Sequence, residues 1–169
     1  MLNALLNLET YATTTYSAIA QISVVYFDVK TKQIFKTFLA NINPESEMKN
    51  GYYIDLDTVE WWDKQPKEIK DKLFVSQISI KEALNKLYEF IETDTILWCN
   101  KQFDPYIFTN AFKVENIYCP IKYNNFKDID TLCYLANIDS YKKIHDANID
   151  ISNQIGRIIS AYTKIKEPI

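Results

Sequence analysis

Glycine is nearly absent from this chain: Gly51 and Gly156 are the only two in 169 residues. Phosphate-cradling loops of the P-loop and dinucleotide-binding kinds are built on several glycines, so neither class has its raw material here. Cysteine is scarce as well. Cys99, Cys119 and Cys133 are odd in number and show no CxxC spacing. That argues against a disulfide framework and against a zinc site, and it fits a reducing cytoplasm, bacterial or that of a phage-infected host. Positive charge is not in excess either. A net charge of −3 gives no electrostatic footprint for wrapping long duplex DNA, while a small metal-centred site acting on nucleic acid stays open. No stretch approaches the ~20 apolar residues of a membrane span, and MLNALLNLE carries no basic leader ahead of Glu9, so neither anchor nor export signal is expected.

What the chain does have is apolar and aromatic material. With 47% hydrophobic residues, 12 Tyr and 9 Phe, residues 1–169 suffice for one domain with its own core and are too few for two. Residues 4–9, IAQISVVYF (19–27) and IFKTFLANI (34–42) are rich in β-branched and aromatic residues and predict three adjacent strands in an antiparallel meander. NPESEMKNG (43–51) predicts a loop. Two short helices follow, TVEWWDKQ and then PKEIKDKL with Pro66 in its first turn. SIKEALNKLYEFIE is the clearest helix: Ser79 and Glu82 form an S-x-x-E capping box, and Ile80, Ala83, Leu84, Leu87 and Ile91 recur at helical spacing. TILWC (95–99) predicts a buried strand, after which Asp104 can cap a helix with Pro105 at its first position. KDIDTLCYLA and HDANIDISNQIGRIISAY predict two further helices, the last with Ile151, Ile155, Ile158 and Tyr162 on one side. Strands first and helices alternating later predict an α/β fold, a mixed sheet flanked by helices.

Several acids fall at the ends of these elements: Glu9 closing the first strand, Asp104 opening a helix, and Asp150 near the start of the last. Positions 7 and 9 of a strand present their side chains to one face. The only histidine, His145, lies five residues before Asp150. Carboxylates drawn from separate elements, without a cysteine or histidine cluster, suit hard, oxygen-preferring cations such as Mg²⁺ or Mn²⁺.

In this order the motifs resemble those of the DnaQ-like, DEDDh-type 3'-5' exonucleases of the ribonuclease H-like superfamily, and look most like the phage-type enzymes that also carry a T-x-E-W-W segment. NLET (7–10) aligns with the first family motif, Asp-x-Glu-Thr. FDP (103–105) aligns with the second, and HDANID (145–150) with the third, His-x-Ala-x-x-Asp. The resemblance covers nearly the whole chain. It implies an antiparallel meander joined to parallel strands, with two Mg²⁺ (or Mn²⁺) held by position 7, Glu9, Asp104 and Asp150. It implies His145 as general base, imidazole being the side chain that titrates nearest neutrality. The implied reaction is two-metal hydrolysis from the 3' end of single-stranded DNA, with release of nucleoside monophosphates. Short RNA is the alternative substrate.

Asn7 departs from the pattern. An amide oxygen can touch a metal but brings no charge, so weak metal occupancy and strongly depressed activity are expected. An aspartate replaced to silence the enzyme is the first explanation. A naturally noncatalytic domain, binding nucleic acid or protein on a nuclease fold, is the second. Thr10, Tyr11 and Thr14 in TYATTTYS, together with Phe103, are placed to line the pocket of the 3' nucleotide, and Trp61 can stack on a terminal base. Lys142 and Lys143 are candidates for substrate phosphate. Asp128 and Asp130 are assigned to helix capping, outside the metal site.

Overall fold

The computed structural model describes residues 2–100 and 103–166, so Lys101 and Gln102 of the expected loop NKQF lie outside the described residues. The three expected strands form: β1 (Asn3–Thr10), β2 (Ile19–Phe27) and β3 (Ile34–Asn41). After them come α1 (Pro44–Met48), α2 (Leu56–Asp63), α3 (Lys67–Phe74), α4 (Ile80–Phe90), β4 (Ile96–Cys99), α5 (Asp104–Val114), β5 (Phe126–Asp128), α6 (Ile129–Leu135) and α7 (Ala147–Lys166). The sheet order is β3-β2-β1-β4-β5. β1 pairs antiparallel with β2 and parallel with β4, and β4 pairs parallel with β5. This is the mixed sheet of the ribonuclease H-like fold. No helix among the described residues is long and apolar enough to cross a membrane.

Strand periodicity divides the core in two. Ala4, Leu6 and Leu8 of β1, with Ile22, Val24 and Tyr26 of β2, pack on one side against α4 and α5 through Leu84, Leu87, Phe108 and Phe112. Leu5, Val25 and Phe27 face the opposite side, under α6 and α7, where Ile151, Ile155, Ile158 and Ile159 cover them. A strand buried on both faces is consistent with the near-continuous apolar run of β2.

Parity then fixes where the polar residues go. Asn7 and Glu9 share the face of Leu5, and their antiparallel partners Ser23 and Gln21 are buried there too. The second half of β1 therefore lays a polar floor beneath the start of α7, and a register shift between Glu9 and Thr10 ends the regular pairing there. Several local features differ from expectation, among them Pro66, which stands at the N-cap of α3 and not in its first turn. Residues 44–48 are helical, with Asn43 accepting from the Glu45 N–H and Pro44 in the first turn. Residues 126–128 extend the sheet before α6 begins. α7 begins at residue 147, two residues after His145. Asp104 is the first helical residue of α5, with Phe103 in the cap position.

Candidate active site

The C-terminal ends of the parallel strands are where ligands bind in open α/β sheets, because the strand order reverses there and the connecting helices diverge. In this chain β1 itself, and the residues that follow β4 and β5, reach that edge. A cavity of about 790 Å³ opens there. Asn7, Glu9 and Thr10 line it from β1, Asn100 from just after β4, Asp104 from the start of α5, and Asp130 from α6; Trp61 and Trp62 line it from α2.

Glu9 is its centre. It is 3% exposed, and three groups converge on its carboxylate: Nδ2 of Asn7 at 3.1 Å and Nζ of Lys143 at 3.2 Å, both on Oε1, and Nδ1 of His145 at 3.1 Å on Oε2. Burial pushes the Glu9 carboxyl up, but the bond from His145, the charge of Lys143 and the amide of Asn7 together outweigh it and hold the pKa below the ordinary value. In the neutral tautomer whose Nδ1–H donates to Glu9, the lone pair is on Nε2. The ring is boxed by tryptophan, its centroid 4.6 Å from that of Trp61 and 5.9 Å from that of Trp62, both edge-on. Trp62 is buried and donates its Nε1–H to Thr10 O at 2.9 Å, while Trp61 stays 38% exposed beside the cavity. His145 itself has φ 63°, a left-handed conformation that a non-glycine residue holds only where its surroundings fix it.

Asp104 faces the same cavity and is 5% exposed. Burial raises its pKa to about 7, with Glu9 adding to the rise and Lys143 and the Asn100 N–H opposing it. Instead of capping α5, its Oδ2 reaches back to that N–H at 2.9 Å. Asp150 does not line the cavity. It is fully buried at the start of α7, where Oδ1 accepts from Tyr141 Oη at 2.7 Å and from the Ile144 N–H at 3.0 Å, and Oδ2 has no hydrogen-bond partner among the described residues.

Thr10 and Phe103 line the cavity, as does Thr13. Tyr11 and Thr14 do not. Tyr11 turns into the main core, out of step with the alternation of β1, just past the register shift at Glu9/Thr10, and Thr14 lies exposed in the tight turn closed by Ser17. Asp128 caps α6 by accepting from the Thr131 N–H at 2.8 Å. Asp130 instead pairs with Arg157 at 3.1 Å across the cavity rim. Arg157, Gln154, Tyr141 and Asn100 line the cavity as well, and none of them is among the expected site residues. The i, i+4, i+7 spacing from Asp150 to Gln154 and Arg157 was the available signal for two of them.

The donors suit a magnesium-class cation: the Glu9 and Asp104 carboxylates and the Asn7 amide line the cavity, and the buried Asp150 Oδ2 has no hydrogen-bond partner among the described residues, so every one of these offers oxygen. Among the described residues, no three His, Cys, Asp or Glu side chains come close enough together to share one ion.

A mixed sheet of this order, with Asn7 and Glu9 side by side on the central strand and a histidine facing Glu9, gives the chain a ribonuclease H-like fold. Residues 3–156 match the Rv2179c-like 3'-5' exoribonuclease domain, and the chain belongs to that family. Solved structures share the fold. Exonuclease I is 15% identical with a TM-score of 0.68 over 96% of this chain and 41% of its own length. The nuclease domain of 3'hExo, a DEDDh family member bound to rAMP, is 12% identical with a TM-score of 0.63, covering 98% of this chain and 92% of that domain. The zinc-bound complex of E. coli exonuclease I with single-stranded DNA is 12% identical with a TM-score of 0.63, over 98% of this chain and 40% of that one. This chain thus spans less than half the length of exonuclease I. No curated protein matches it.

Proposed function

We propose that the chain is a metal-dependent 3'-5' exonuclease of single-stranded nucleic acid whose activity is held down by Asn7. The observation that carries this reading is the convergence of Asn7, His145 and Lys143 on the Glu9 carboxylate, in a cavity also lined by Asp104. Glu9, Asp104, Asp150 and the Asn7 amide oxygen are the residues that would hold divalent ions. Such ions, when bound, supply charge stabilisation to the attacking and leaving oxygens of a phosphodiester. His145 takes the proton of the attacking water at Nε2, while Glu9 holds Nδ1 and so fixes the tautomer. The new P–O bond forms as the bond to the 3' oxygen of the preceding nucleotide breaks, which frees a nucleoside monophosphate. Trp61 offers a face for the terminal base. RNA is placed ahead of DNA on the strength of the exoribonuclease domain match; the motif resemblance alone favours DNA.

Asn7 also supports a second reading, a nuclease-fold binding domain. Its amide already satisfies Glu9 at 3.1 Å, whereas two carboxylates at that distance would repel unless a cation or proton lay between them. One assay separates the two. The Asn7→Asp form with Mn²⁺, given RNA and DNA oligonucleotides blocked at either end, is expected to release monophosphates from free 3' ends about a hundredfold or more faster than the unchanged chain. No gain in cleavage, with oligonucleotide binding retained, would establish the binding domain instead.

A further inference from the structure

Lys143 reaches into the site from the segment between α6 and α7. Its neighbour Lys142 is exposed, whereas the Lys143 ammonium sits 3.2 Å from Oε1 of Glu9 and 3.3 Å from the Leu8 carbonyl oxygen. It also acts on Asp104 through its charge. A carboxylate oxygen and a backbone carbonyl are the oxygen donors a hard cation takes. We propose that the ammonium of Lys143 occupies the cation position beside Glu9, so that a divalent ion gains this carboxylate only when the lysine swings out.

The inference rests on the metal-dependent reading given above. Its grounds are positional. Glu9 is nearly sealed, the Lys143 side chain is 31% exposed at the cavity, and the ammonium bonds the same Oε1 that accepts from Asn7. The flexible four-carbon stem allows withdrawal into the open cavity without moving the backbone. His145, two residues on, bonds the other Glu9 oxygen, so one segment carries two of the three groups that hold Glu9.

The test is Mn²⁺ binding, followed by calorimetry and by the loss of the free-ion paramagnetic signal. Lys143→Met keeps the length of the stem and removes the charge; it is expected to tighten binding by about tenfold or more, since a unit charge in contact with the ligand is gone. Lys143→Arg, which keeps the charge, is expected to stay near the unchanged chain. In the unchanged chain, Mn²⁺ should raise the rate at which Lys143, and not Lys142, is acetylated, as read by mass spectrometry. Affinity unchanged or weakened in Lys143→Met, or acetylation of Lys143 indifferent to Mn²⁺, overturns the proposal. Glu9→Gln separates the two levels. If it weakens Mn²⁺ binding while Lys143→Met does nothing, only the lysine's role fails; if it binds as tightly as the unchanged chain, the metal-dependent reading fails as well.

Discussion

Glu47 is fully buried on α1, its Oε1 accepting from the Ile19 N–H at 2.7 Å and its Oε2 without a hydrogen-bond partner among the described residues. Burial lifts its pKa to about 8 from 4.5, with the nearby Glu115 adding to the rise and the Ile19 N–H opposing it. Below pH 4.5 the folded and unfolded states both hold the proton. Between 4.5 and 8 only the folded state does, so stability falls as pH rises, by up to about 1.4 kcal/mol per pH unit, and levels off above 8. Asp104, raised to about 7 from 3.8, acts in the same direction at lower pH. Glu47→Gln should therefore be more stable than the unchanged chain at pH 8, with a shallower pH dependence, as read by urea midpoints at pH 5, 6.5 and 8. Parallel pH profiles for the two proteins would rule this out. At this scale, sequence showed the acids at element ends because motif spacing survives without coordinates. It did not show that Lys143 would be the group on Glu9, because lysine pairs are usually solvated and only the path of the segment decides which of the two turns inward.

Elements with strong local signals were the legible ones. α4 has a serine cap, accepting from the Glu82 N–H at 3.2 Å, and a buried face of Ile80, Ala83, Leu84 and Leu87, both written in the 3.6-residue period. Leu84 packs with no exposure in the core beside β1 and β2. Leu84→Ala is expected to cost about 2–5 kcal/mol by leaving a cavity, and Ser79→Ala about 1 kcal/mol through the lost cap. Denaturant titration of both variants gives the comparison, and a Ser79→Ala loss as large as that of Leu84→Ala would contradict it. α1 and β5 were not legible for opposite reasons. In α1 the loop-forming residues Asn43 and Pro44 serve as cap and first turn of a helix only 5 residues long. β5 is 3 residues whose pairing with β4 supplies what their own sequence does not. Asp104 shows a tertiary contact overriding a local preference: as a cap it would face its own helix, but its carboxylate instead bonds the Asn100 N–H and faces the cavity.

At the scale of the molecule, the site is assembled by topology from segments far apart in the chain. β1 lies at the centre of the sheet, the crossover through β4 brings α5 beside it, and α7 returns across the face that carries Asn7 and Glu9. No local pattern encodes that closure; the order of the motifs implied it only through likeness to a known family. The Lys72–Asp146 pair links α3 to the segment just before α7, so the wall bearing Trp61 and the segment bearing His145 are joined at a second point. A cation bound at Glu9 and Asp104 would thus brace the central strand β1 against α5, and its effect should be global. Ligand at a hundred times its Kd adds about 2.7 kcal/mol to a folded chain, which for a protein of this size is a rise of about 5–10 °C in melting temperature. The Asn7→Asp form should show that rise with Mn²⁺ over chelator. The unchanged chain should show a smaller one at equal Mn²⁺, since its site has one carboxylate fewer with which to compensate the ion's charge. Equal shifts in the two proteins would mean that position 7 does not govern ion binding, and no shift in either would mean that the carboxylates of this cavity hold no divalent ion.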